Sequence, residues 1–263
     1  MNPTIAHCMQ YRAEFVSGKA EIRSEPGIVK DVYDGEEYRR LVNEKVVVGE
    51  QCFNHQYFED TRDVALGLST DGFGPFKRRK HTCWPLILFN YNLPPDVRFH
   101  LENILALGVI PGPKKPKDAD SFLWPFVQEM MRLAIGVKTF DAMAQQMFWL
   151  RAYLIVVFGD IPAVSMIMRM VGHNGFSPCR MCKIIGVRIP NSNMTTHYVP
   201  HERSAHPMVS VAAAATATGL SDSEIPIKYY HGDKLPLCSH SKMFEQANLV
   251  AQAASEAEAT RLS

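Results

Sequence analysis

The sequence predicts an α/β fold, a mixed sheet with flanking helices. Three observations carry that prediction. Two apolar runs, Val64–Ser69 and Trp84–Tyr91, follow one another across a turn-rich, basic stretch. A third run, Tyr153–Phe158, comes only after a segment with helical spacing. Composition is that of an ordinary globular protein, with 46% hydrophobic and 21% charged residues among 263. This length is enough for one large domain or two small ones, each with a sizeable core.

The lead-in, residues 1–45, shows no clear periodicity and is punctuated by Gly18, Pro26 and Gly27, so partial order is expected there. Within it, DGEEYRRL at Asp34–Leu41 reads as a short helix, and EKVVVGEQ after it as a strand ending near Gly49. Val64–Ser69 alternates Val, Leu and Leu with small residues and is broken by Asp71-Gly72. WPLILFNY, bounded by Pro85 and Pro94-Pro95, reads as a strand buried on both faces. Asn103–Ile110 reads as the next strand, closed by Pro111-Gly112-Pro113.

Phe122–Ile135 has helical spacing, with Leu123, Phe126, Val127, Met130 and Met131 on one face and Asp120 or Ser121 as cap. Phe140–Leu150 reads as helical or mixed, and Ala163–Met170 as a helix after the strand Tyr153–Phe158. An antiparallel meander, a crossover helix and a returning parallel strand are the layout of an RNase H-like sheet. In that layout the first and fourth strands lie side by side. Residues 46–175 form this core, 176–208 an insertion, and 209–263 an Ala-rich linker with a C-terminal helix.

A net charge of +1 gives no global nucleic-acid footprint. Local basic clusters stand at Lys77-Arg78-Arg79-Lys80 and in KKPK at 114–117, each equally explicable as a solvated turn. Met1–Gln10 has neither the basic region nor the apolar core of a signal peptide, and no apolar run approaches the ~18–20 residues of a membrane span. A reducing compartment is therefore expected, where C-x-x-C points to metal or redox chemistry rather than a structural disulfide.

Two constellations carry chemistry. Asp71 ends the first apolar run and Asp160 ends the last, as carboxylates must if they share a divalent Mg²⁺ or Mn²⁺ ion at strand ends. Singly, Asp71-Gly72 is also a turn dipeptide and Asp160 before Ile-Pro a helix cap. The other constellation is Cys179-Arg180-Met181-Cys182, preceded by Pro178 and followed by His197, His201 and His206. Two thiolates from one knuckle plus imidazoles suit tetrahedral Zn²⁺. His197 and His206 are the preferred remaining ligands and His201 a substitute; two reduced cysteines beside a surface histidine cluster is the plainer alternative. Cys52, Cys83 and Cys238 read as small apolar fillers, and the Met-rich stretches as core packing.

The stretches LGLSTDGFGPF, WPLILFNYNLPP, VIPGPKKPKDAD, FGDIPA and FSPCRMC, in this order, resemble the transposases of CACTA (En/Spm-type) DNA transposons. DVYDGEEYRRL and LPLCSH extend the resemblance over nearly the whole chain. It implies a DDE-type enzyme with an RNase H-like core, acting in the nucleus on transposon terminal repeats and target DNA, with self-association among its properties. It further implies that Asp71 and Asp160 are the first two catalytic acids, and that Cys179 and Cys182 belong to a zinc-binding insertion before the third. Lys77–Lys80 would then be phosphate contacts.

The third acid should lie on a later helix beside His and Asn. Glu245, Glu256 and Glu258 lack that context, so it is read as absent, and the chain as a fragment or decayed copy whose core is incomplete. The rival expectation is a non-catalytic DNA- or protein-binding module that keeps the fold.

Overall fold

A computed structural model describes residues 3–18, 28–75, 82–112, 116, 118–170, 172–188, 196–200, 234–255 and 257–259. The chain divides into two compact units, Met1–Val164 and Ser165–Ser263.

The first unit is built on a four-stranded mixed sheet of β3 (Val64–Thr70), β4 (Cys83–Asn90), β5 (Leu105–Pro111) and β8 (Ala152–Phe158), in the order β5-β4-β3-β8. β3 pairs antiparallel with β4 and parallel with β8. As a central strand with no charged residue, β3 is buried almost throughout, as its unbroken apolar text requires. The return from β5 to β8 passes through helix α4 (Asp120–Ile135) and a hairpin of β6 (Val137–Asp141) and β7 (Gln146–Leu150).

α4 turns Leu123, Phe126, Met130, Leu133 and Ala134 inward, while Val127 and Met131 fall on the open margin. Its first turn is held by the Asp118 carboxylate, which accepts from the Asp120 N–H and the Ser121 hydroxyl, rather than by Asp120 or Ser121 as caps. The helical reading of 140–150 gives way to the β6–β7 hairpin for a local reason. The Asp141 carboxylate accepts from the backbone N–H groups of Met143 and Ala144 at 2.9 and 3.0 Å, folding the chain back before a helical turn can form. Arg62 ties this hairpin to the entry of β3, bonding Asp60 and Asp141 while lying over the Phe148 ring.

The lead-in supplies core. It contains α1 (Pro3–Cys8), α2 (Tyr11–Ser17), a 3-10 turn at Val32–Asp34 and α3 (Glu36–Leu41), followed by the hairpin of β1 (Lys45–Val48) and β2 (Gln51–Gln56). Tyr11, Phe15, Tyr33, Tyr38 and Phe58 form a ring-to-ring chain ending on Tyr153 of β8, with centroid spacings between 4.9 and 6.3 Å. Buried Arg98, just past β4, grips buried Asp31 through two parallel bonds of 2.9 and 2.7 Å, and Tyr11 donates to the same carboxylate.

In the second unit the described elements are the end of α5 (Ile161–Ile167), a two-stranded ladder of β9 (Val187–Arg188) and β10 (His197–Tyr198), and α6 (His240–Ala251). The C-terminal helix expected within 209–263 is α6, which stops at Ala251; 257–259 is helical again, and residues 256 and 260–263 lie outside the described residues.

Candidate functional site

The parallel ladder between β3 and β8 ends at the pair Ser69 and Phe158. Continuing that register by one residue faces Thr70 with Gly159, and by two residues Asp71 with Asp160. The strands stay close here: a Cβ on Gly159 would stand 2.8 Å from the Thr70 carbonyl oxygen, so only glycine fits. The two sequence-predicted acids thus each stand two residues past the last pair of neighbouring strands, and both are exposed.

Their surroundings differ. Asp71-Gly72 is not a turn. The chain runs on to Phe73, which exchanges backbone hydrogen bonds of 3.1 and 2.9 Å with Cys83. Gly72 lies flat over the Trp84 indole, where a Cβ would fall 2.6 Å from the ring. Beside it, Thr70 Oγ1 and Trp84 Nε1 are buried with no partner among the described residues. Asp160 does cap a helix: its carboxylate accepts from Ala163 N at 2.7 Å and its carbonyl from Val164 N at 3.0 Å. One carboxylate oxygen is committed to the cap.

At the opposite end of β3, Asp63 is fully buried. Burial pushes its carboxyl up to about 6, against the hydrogen bond from Asp60 N and the positive charges of Arg151 and Arg12. Sequence reading did not single it out.

In the second unit, Cys179 and Cys182 form a hydrogen-bonded pair. Burial alone would raise the Cys179 thiol, but its bond with Cys182 and the N–H groups of Met181 and Cys182 hold it below its usual range. Burial and that same bond push the Cys182 thiol up. A third cysteine, missed from sequence, adjoins them. Cys238 N donates to Met181 O at 2.9 Å, Lys183 N to Pro236 O at 2.7 Å, and Cys182 faces Leu237 across an antiparallel bridge. The signal was the C-S-H text of LPLCSH, read as filler.

His197 is placed elsewhere, on β10, its ring 5.7 Å from that of Phe176 and its Nε2 3.4 Å from Arg188 Nε. Burial and the nearby Arg188 charge hold its imidazole below the usual range. His201, His206, Glu256, Lys114, Lys115, Lys117 and the basic cluster Lys77, Arg78, Arg79 and Lys80 lie outside the described residues. Glu245 is exposed on α6, and Glu258 caps Ala254 N at 2.9 Å. Among the described residues no group of three or more His, Cys, Asp or Glu side chains is gathered to hold a metal ion.

The family model described as transposase family tnp2 matches residues 40–245, which include both acids and all three clustered cysteines. The chain belongs to that family of transposases, and the membership implies DNA as partner. No curated protein and no solved structure gave a match. No helix among the described residues is long and apolar enough to cross a membrane.

Proposed function

We propose that the chain carries part of the catalytic core of a CACTA-type (En/Spm) transposase, with an RNase H-like sheet and a zinc knuckle, working on DNA in the nucleus. The observation that carries this reading is the alignment of Asp71 with Asp160 at the ends of β3 and β8, inside the region matched by the transposase family.

The residues present fit a divalent cation in part. Both residues are exposed just past adjoining strand ends, and one Asp160 oxygen is held by Ala163 N. Asp71 and Asp160 would hold Mg²⁺ or Mn²⁺, which when bound activates an attacking oxygen and stabilises the leaving one in phosphoryl transfer. The protein's own part is positioning. Gly159 lets the strands approach, and the cap to Ala163 N fixes the Asp160 rotamer. Lys77, Arg78, Arg79 and Lys80 follow Asp71 closely in sequence and would neutralise phosphates. Cys179 and Cys182, with a histidine from 197–206 (His197 or His206, with His201 as substitute), would hold Zn²⁺ as a structural element.

The reaction needs a third acid, and neither Glu245 nor Glu256 nor Glu258 stands in the expected context. That observation favours a second reading, in which this sequence binds metal and DNA, or a protein partner, without cleaving. The test is metal-dependent nicking of a terminal-inverted-repeat duplex. Nicking lost in Asp71→Asn and Asp160→Asn supports catalysis. Duplex binding without nicking supports the second reading, and nicking that survives both substitutions refutes the assignment of the acids.

A further inference from the structure

We propose that Cys238 is a third thiolate ligand of the cation held at Cys179 and Cys182, making a three-thiolate site for Zn²⁺ or a similar thiophilic divalent ion. This rests on the reading of the knuckle as a metal site and replaces one of its two histidines.

Geometry carries the inference. A C-x-x-C knuckle supplies two ligands and leaves two of four tetrahedral positions to be filled from elsewhere. The segment brought against this knuckle is Pro236–Cys238, far along the chain, and it is fastened by backbone bonds on both sides of Cys182. Those bonds, Lys183 N to Pro236 O and Cys238 N to Met181 O, pin the Cys238 backbone beside Met181, between the two knuckle cysteines. Cys238 is a free, half-buried thiol, close enough for its charge to be felt at Cys182.

The Cys179 sulfur accepts the backbone N–H of Met181 at 3.3 Å. The three thiols are not yet gathered at ligating distance. With the backbones fixed, a change of χ1 at Cys238 moves its sulfur by roughly 3 Å. His197, bonded toward Arg188, then has one position to compete for rather than two.

The experiment loads the full chain with Zn²⁺, measures stoichiometry after dialysis, and repeats with Co²⁺ to read the sulfur-to-cobalt charge-transfer band. Cys238→Ser should weaken Zn²⁺ binding at least about tenfold and lower the band by about one third, the share of one thiolate in three. Cys238→His should restore affinity while leaving the band low, which separates ligation from a folding defect, and Cys52→Ser should change neither. Cys238→Ser binding Zn²⁺ like the wild type, with an unchanged band, overturns the proposal while the knuckle stands. A wild-type chain holding neither metal overturns the knuckle reading itself.

Discussion

Ser69 of β3 and Phe158 of β8 are the last paired residues of a parallel ladder, and two residues beyond each stands an aspartate. That register, set by the packing of two apolar strands, puts two acids far apart in the chain just past the ends of neighbouring strands. The approach depends on Gly159. Gly159→Val would drive a side chain into the Thr70 carbonyl, 2.8 Å from the Cβ position, and into Ala163 at 3.3 Å. Overpacking of this kind costs about 1–3 kcal/mol. Thermal melts should show the loss, and Gly159→Val should also weaken Mn²⁺ binding although it removes no ligand.

The buried pair of Arg98 and Asp31 fastens the lead-in to the sheet. Arg98→Met would leave the Asp31 carboxylate buried with the Tyr11 hydroxyl as its remaining side-chain donor. Breaking one side of a buried pair typically costs about 3–5 kcal/mol. Urea unfolding should show a loss in that range, and a loss below about 1 kcal/mol would mean that the lead-in is not part of the core.

Asp63 makes stability depend on pH. Its folded-state pKa, about 6, lies above the ordinary carboxylate range. The stability this linkage contributes is fully present below the unfolded value of about 4 and is lost as pH rises through 6. Asp63→Asn removes the charge and keeps an acceptor for Asp60 N. The variant should match the wild type near pH 4 and exceed it by on the order of 2 kcal/mol at pH 8, measured by denaturant unfolding across pH.

If Lys77, Arg78, Arg79 and Lys80 contact phosphates, replacing all four with alanine should weaken duplex binding without regard to sequence. The slope of log affinity against log salt should become shallower by up to about 4. An unchanged slope would return the cluster to a solvated turn.

Much of the sheet was legible because long apolar runs have few other places to go. β3, β4 and β8 stand where their text puts them, and their order predicted which strands would be neighbours. The β6–β7 hairpin was not legible, because its Met-rich strands read equally as helix and its turn is made by one side chain, Asp141. The aromatic chain from Tyr11 to Tyr153 was hidden too: each ring sits in a short element with no period of its own. Asp71 and Asp160 could be found as strand ends. Cys238 left only the C-S-H of LPLCSH as a signal, since its neighbourhood is set by pairing between segments far apart in the chain.

Whether Asp71 and Asp160 form one cation site, as proposed, is tested most directly by Mn²⁺ binding followed by electron paramagnetic resonance. Asp160→Asn retains an oxygen for the Ala163 N–H, so it removes charge without removing the helix cap. A shared site gives a bound Mn²⁺ signal in the wild-type chain, lost in Asp71→Asn and in Asp160→Asn, with no further loss in the double variant. Wild-type Mn²⁺ binding in both single variants would contradict it.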